Sequence, residues 1–368
     1  MRVQSILLSL VFATSFALPV RVIAQQSPDS PNHVLDDAAR SAVIDGLLKQ
    51  IDRIYIFPEM AKRMEQAIRA RKARKEYASI TSGQEFARTL TDHLRQVCKD
   101  RHLSVDYFPQ GIPYDSEKPP AAEEIQQFRE RGRRRNYEFK KVERLDGGIG
   151  LLQVDGFYPG DWVGDTAAAA MTFLANSEAI ILDLRQNHGG YPTGVVLLCS
   201  YFLKEETRLS DQVNRAENTT RQYWSYPVVP GPRLAEKDLY ILTSRETFSA
   251  AESLAYDLQA LKRATIVGET TGGGAHGTTI YRITDHFSAS IPFSNAINPI
   301  TKTDWEGTGV KPDVAVPADQ ALLTAHLMAL EKALRRHGDD TALADSLKRA
   351  IAEKEKEMAT LKAKPVRP

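Results

Sequence analysis

The spacing of apolar residues changes along the chain. From Val34 to about Arg101 they recur every third or fourth position: Val43, Leu47 and Ile51, then Met60, Met64 and Ile68, then Phe86, Leu90 and Leu94. Each set lines one face of a helix. Ser82 and Glu85 give a capping signature at the start of the third helix. Asp100–Tyr107 then reads as extended. Residues 109–146 are proline-containing and strongly charged, a connection with a short helix near Ala122–Arg131. From Gly148 the pattern shifts to short β-rich runs at Ile149–Val154, Ala179–Leu184, Leu239–Thr243 and Thr265–Val267. Helical stretches lie between them at Thr166–Leu174, Thr193–Leu203 and Ala250–Leu261. Strands alternating with helices predict an α/β core. Thr278–Pro292 reads as a hairpin, and Ala318–Arg336 and Thr341–Lys362 as helices, the last strongly charged.

The ends add a targeting signal. Arg2, the apolar stretch Ile6–Val20 and the small-residue site Val22-Ile-Ala24 have the order of a cleaved secretory peptide. That run is too short and interrupted for a comfortable membrane span; an uncleaved anchor is the alternative. The expected organisation is a signal over 1–24, a flexible leader over 25–33, a helical domain over 34–108, the connection over 109–146, an α/β core over 147–318 and C-terminal helices over 319–368. The mature protein is expected to be exported, to the periplasm or beyond the cell, without stable membrane insertion.

Charge narrows the class further. The net charge is +1, and losing Arg2 and Arg21 with the signal turns it to −1. No global field favours nucleic acid or membrane, and the basic run Arg129–Arg135 reads as a solvated helix end. Cys98 and Cys199 are the two cysteines; export permits a bridge, but apolar neighbours suit buried thiols equally. No metal-ligand spacing is evident, and no cofactor is expected.

Two segments carry candidate chemistry. In Leu239–Leu258 an apolar run ends at Thr243, a polar turn follows, and Ser249 opens an amphipathic helix. A serine at such a corner exposes its hydroxyl beside helix N–H groups suited to an oxyanion. Ser249 and Glu252 also fit a capping box, which requires no chemistry. The second segment, Ala179–Gly190, is an apolar strand ending in the turn Asp183-Leu-Arg-Gln-Asn-His-Gly-Gly190. Paired glycines let backbone N–H groups approach a ligand atom, or simply allow a tight turn.

Together these segments resemble the family of tail-specific (C-terminal processing) proteases, tricorn proteases and interphotoreceptor retinoid-binding proteins. The likeness rests on Asp183–Gly190, Leu242–Glu252, Ile266–Gly274 and Gly307–Asp313, in that order, and on the helical segment Ala42–Leu103 with Tyr55–Glu59 and Asp100–Leu103. It implies a β-β-α spiral core of the crotonase or ClpP kind and Ser249 as nucleophile. The tail-specific branch places a lysine base where Gly274 stands here, with no lysine nearby. Its PDZ domain would lie between the helical domain and the core, where residues 109–146 are too few.

The tricorn-like branch implies His102 as base and Glu306 as the carboxylate that fixes its tautomer. The serine that precedes that histidine in the branch is Arg101 here, and Arg101 could pair with Glu306 instead. His276, in the turn that would carry the lysine, is the competing base, and a histidine in a glycine-rich loop is more often solvated. His188 would border the pocket. Oxyanion donors would be the N–H groups of Ala250 and of Gly189 or Gly190.

The expected function is an exported serine peptidase acting on peptide or protein substrates through an acyl-enzyme on Ser249. The alternative on the same fold is a non-catalytic binding protein for a lipid- or retinoid-like ligand.

Overall fold

A computed structural model describes residues 34–112 and 120–362. The expected signal peptide and leader lie outside the described residues. The three helices of the first segment are α1 (Asp37–Ile54), α2 (Pro58–Ala73) and α3 (Gly83–Cys98). Their caps follow from the sequence: Asp36 accepts the Ala39 N–H, Pro58 sits in the first turn of α2, and Ser82 accepts the Glu85 N–H. Lys99 ends α3 in a left-handed conformation, turning the chain toward His102 and strand β1 (Ser104–Tyr107).

The charged connection holds more structure than its composition predicts. Helix α4 (Ala122–Arg134) is followed by strand β2 (Phe139–Leu145), which pairs antiparallel with β3 (Ile149–Val154). The strand is obscured in sequence because its burial alternates weakly between half-buried and exposed charged positions.

The remaining elements are α5 (Gly160–Leu174), β4 (Ala179–Asp183), α6 (Pro192–Phe202), β5 (Arg208–Asn214), β6 (Thr219–Trp224), β7 (Asp238–Thr243), α7 (Ala250–Ala260), β8 (Thr265–Gly268), β9 (His276–Arg282), β10 (Phe287–Ile297), β11 (Val314–Ala315), α8 (Ala318–Arg336) and α9 (Thr341–Lys362). The β5–β6 hairpin is an addition to the expected elements. Its second strand is almost wholly exposed, so no apolar alternation marks it.

Two sheets result. One runs β11-β8-β7-β4-β3-β2, parallel except at the β2 edge. Alternation along its strands divides the core as period two requires. Leu152, Ile180, Leu182, Leu239 and Ile241 face the cluster containing residues of α5, α6 and α7. Leu151, Ile181, Tyr240 and Leu242 face the cluster formed with α8 and α9. In the second sheet β10 pairs with β1, β5 and β9, and β5 pairs with β6. Phe287, Ala289 and Ile291 of β10 bury into the cluster made by α1–α3. The helical segment therefore packs directly on a strand of the second sheet, and this brings His102 to the turns that follow β7 and β8.

No helix among the described residues is long and apolar enough to cross a membrane. Cys98 and Cys199 are both free thiols, the second fully buried, which resolves the open choice in favour of unbridged cysteines.

Candidate active site

Two turns at the ends of adjacent parallel strands form the floor. Thr247 Oγ1 donates to Leu184 O at 2.9 Å, and Phe248 N–H donates to Asn187 O at 3.0 Å. These bonds seat the turn after β7 on the turn after β4. Asn187 is fully buried and also donates from Nδ2 to Val154 O, so the Gly-Gly turn is fixed from below. The closeness is steric as well. A Cβ on Gly189, whose φ is +99°, would stand 2.8 Å from Ser249 Cβ and 2.9 Å from Ala250 N. A Cβ on Gly190 would strike the Phe157 backbone at 2.1 Å. Only glycine fits at either position.

Ser249 is half-buried and has φ +57° and ψ −121°. Helix-capping residues sit in the extended region, and a non-glycine residue here costs about 1–3 kcal/mol. A serine chosen only as a cap would not carry that strain. Its backbone N–H donates to Glu252 Oε2 at 2.8 Å. Glu252 is fully buried and also accepts from Gly273 N–H at 2.7 Å, Gly274 N–H at 2.8 Å and the Thr271 hydroxyl. Burial pushes its carboxyl above the ordinary value, against the pull of these donors. Glu252 thus clamps the glycine turn after β8 to the serine corner. Its sequence signal was the capping-box glutamate; that it also clamps a turn about twenty residues away is tertiary.

His102 lies against this clamp. Its ring packs against Phe248 at a tilt of 33°, with centroids 4.5 Å apart. A Cβ on Gly274 would be 2.4 Å from Phe248 Cζ and 2.6 Å from His102 Cε1. The space where a side chain at position 274 would begin is therefore filled by these two rings. Neither ring nitrogen of His102 has a hydrogen-bond partner, although the side chain is only 10 % exposed. Burial pushes the imidazole down to about 4, with His276, Arg101 and Arg95 adding to the fall and Asp100 opposing it. Arg101 is exposed; it donates to Gly272 O at 2.9 Å and lies over the Phe248 ring, 4.9 Å from its centroid. Its observed partners are thus a carbonyl and a ring, in place of the pairing with Glu306.

His276 is only 4 % exposed, so the solvated histidine expected of a glycine-rich loop is not what forms. It opens β9 with its Nδ1 2.6 Å from Asp100 Oδ2 and 3.6 Å from Glu306 Oε2. Burial opposes its charge, but the two carboxylates outweigh burial and raise it. Burial likewise pushes Asp100 up, and His276 and the neighbouring groups outweigh it, so the net direction is down.

Glu306 Oε2 accepts the Ala275 N–H at 2.6 Å, and burial raises its carboxyl to about 7. The resemblance implies Glu306 beside His102. Here no direct hydrogen bond joins them, because both ring nitrogens of His102 are unpaired, and His276 and Asp100 stand in the chain of contacts between. Trp305 Nε1 donates to Gly274 O at 2.7 Å and fixes the far side of the same turn.

Gly189 N–H donates to Asn187 Oδ1 at 2.8 Å, which commits one of the expected oxyanion donors. Gly190 is exposed beside it, as is His188.

The ligand atoms of Asp100, His276 and Glu306 all lie within 4.8 Å of one another. A tetrahedral ion at about 2.0–2.1 Å from each would hold them about 3.3 Å apart. The 2.6 Å contact between Asp100 and His276 is a hydrogen bond between them.

Residues 148–316 match peptidase family S41, and residues 37–135 match the N-terminal domain of peptidase S41 in eukaryotic IRBP. A carboxyl-terminal-processing protease of Picosynechococcus sp. is 29% identical over 143 residues, 39% of this chain and 33% of that protein. A second, from Synechocystis sp., is 29% identical over 140 residues, 38% of this chain and 31% of that protein. The matches thus span about a third of the length of these curated relatives. Among solved structures, one from Parabacteroides merdae has a TM-score of 0.55 at 17% identity, covering 79% of this chain and 96% of that one. A lipoprotein from Streptococcus agalactiae has a TM-score of 0.53 at 15% identity, with the same coverage of 79% and 96%. At these identities the likeness is one of fold. The S41 match covers the parallel strands of the sheet that carries Ser249, and the N-terminal match covers the helices that lead to His102; the chain belongs to peptidase family S41, the family of the tail-specific proteases.

Proposed function

We propose that this chain is an exported serine peptidase that cleaves peptide bonds through an acyl-enzyme on Ser249, with His102 as general base. The observation that carries the reading is the placement of the His102 ring. It occupies, with Phe248, the space beside Gly274 from which the tail-specific branch would project its lysine. A different base stands in the same place, with unpartnered nitrogens free to receive a proton.

In this reading His102 takes the Ser249 hydroxyl proton as Oγ bonds to the scissile carbonyl carbon. The oxyanion is held by the N–H groups of Gly190 and Ala250, since that of Gly189 is bonded to Asn187. His102 returns the proton to the leaving amine, and water then releases the acyl group. Glu306 acts at one remove, holding Ala275 N–H and facing His276. The parallel strands β3, β4, β7 and β8, with helices on both faces, support reading residues 147–318 as a β-β-α spiral core between helices 34–108 and 319–368.

Labelling with a fluorophosphonate tests the reading. Wild type should be modified at Ser249 and Ser249→Ala should not; a folded wild type that resists the probe and hydrolyses no peptide would overturn it. Export is inferred from Arg2, the apolar Ile6–Val20 and the small-residue site at Ala24. N-terminal sequencing of protein from its native host should begin at or near Gln25, and an intact Met1 in the cytosol would refute this.

A further inference from the structure

The carboxylate nearest the proposed base is Asp100. It is 1 % exposed, and each oxygen has work to do. Oδ1 accepts the backbone N–H of His102 at 2.9 Å and lies 4.0 Å from His102 Nδ1. Oδ2 meets His276 Nδ1 at 2.6 Å and accepts from the Tyr55 hydroxyl at 3.3 Å. Asp100 is therefore held from the end of α1 and from the start of β9, elements far apart in sequence, while pointing its free capacity at the His102 ring.

We propose that Asp100 is the positioning residue for the base. It turns His102 so that Nδ1 faces the carboxylate and Nε2 faces Ser249, and it steadies the imidazolium once the serine proton has moved. His276 anchors Asp100 in this task rather than serving as a second base. This rests on Ser249 and His102 acting as nucleophile and base. Closing the Nδ1–Oδ1 gap from 4.0 Å to hydrogen-bond length needs a ring movement of about 1 Å. One proton moves, from Ser249 Oγ to His102, and Asp100 stays ionised throughout.

The other charged groups around His102 do not fill this role. Arg101 is committed to Gly272 O and the Phe248 face, and Arg95 to the carbonyls of Leu103 and Arg101. Both are cations and disfavour the imidazolium. Glu306 faces His276, and Tyr55 donates to Asp100. An imidazolium buried among cations has Asp100 as its compensating anion.

The test compares Asp100→Asn and Glu306→Gln with wild type, Ser249→Ala and His102→Ala, in the full mature chain. The readouts are peptide hydrolysis and the fluorophosphonate labelling rate across pH, with circular dichroism to confirm folding. Asp100→Asn is expected to lower kcat on the order of 10²–10⁴-fold with KM changed far less, and to move the acidic limb of the profile to lower pH. Loss of the anion makes His102 harder to protonate, a shift that a purely structural defect would not produce. Glu306→Gln should cost less than Asp100→Asn.

A folded Asp100→Asn with kcat and acidic limb like wild type, while Ser249→Ala and His102→Ala are dead, overturns the role of Asp100 alone. If Ser249→Ala and His102→Ala both label and hydrolyse as wild type does, the catalytic reading falls and takes this one with it. Should Asp100→Asn not fold, proton NMR of the phosphonylated wild type decides. There His102 is held as the cation, and its Nδ1–H should resonate far downfield through the bond to Asp100. Absence of that resonance overturns the proposal.

Discussion

At the scale of single residues, the site depends on what is missing at position 274 as much as on what stands at 102 and 249. Gly274 has no Cβ, and one placed there would sit 2.4–2.6 Å from the rings of Phe248 and His102. Gly274→Ala should therefore displace His102, the proposed base, while leaving the serine corner formed. An activity loss of at least about tenfold is expected from a shift of that size, measured as kcat of the folded variant; unchanged kcat would show that the ring has room to give. Ser249→Ala should abolish hydrolysis with little effect on stability, since losing a cap costs about 1 kcal/mol. Full peptidase activity in folded Ser249→Ala would remove the nucleophile from consideration.

The acidic limb follows from burial. As the proposed base, His102 must be neutral to accept a proton, and burial holds it near 4, so it stays neutral at lower pH than a free imidazole. The limb of kcat/KM should then lie below the ordinary histidine value of about 6.5. A limb at or above that value would mean that the base is another group or a more solvated one. Of these residues, Ser249, His102, Glu306 and the glycines stand out as candidates from motif order. Asp100 and Glu252 as clamps do not, because Asp100 meets His276 across 176 positions and Glu252 meets Gly274 across 22.

At the scale of elements, the sequence was most readable where one face of an element is apolar. The long helices α8 and α9 and strand β3 have the bounds that their patterns predict. Strand β2 escaped because its apolar Phe139, Val142 and Leu145 recur every third position among charged residues, and β6 because it is almost wholly exposed, so neither leaves an alternation to detect. Helix α5 begins six positions before the expected Thr166, at Gly160, because its first turn is docked through Gly160 N–H on Thr193 Oγ1 rather than marked by an apolar stripe. The pairing of two strand ends is what makes the serine corner a site. Gly189→Ala should be worse than an ordinary turn substitution, because it adds strain at φ +99° and a clash with Ser249 itself. Loss of labelling together with a lower Tm is expected. A variant with wild-type labelling would mean that the two turns can separate without consequence.

At the scale of the whole molecule, the proposed nucleophile and the proposed base come from different parts of the chain, and strand β10 fixes the side that carries His102. Ser249 rides on the parallel sheet, whereas His102 leads into β1, whose Tyr107 pairs with Phe287 of β10. Phe287 is 1 % exposed and packs against Phe86 and Tyr107, with ring centroids 6.1 and 5.0 Å away. The same residue thus belongs to the core of the helical segment and to the strand that follows β9. Phe287→Ala should cost about 3–5 kcal/mol, the usual penalty for emptying a buried aromatic site. It should also loosen the seat of His102 on Phe248. A domain of ordinary stability would still be mostly folded in the cold. Thermal denaturation and fluorophosphonate labelling at low temperature, normalised to the folded fraction, separate the two effects. A lower Tm with reduced labelling per folded molecule is expected, because the register of β1 on β10 sets where the base lies. If stability falls and labelling per folded molecule stays at the wild-type rate, the loop from Lys99 to Leu103 holds His102 without help from the sheet. The bonds from Asp100 would then be sufficient by themselves.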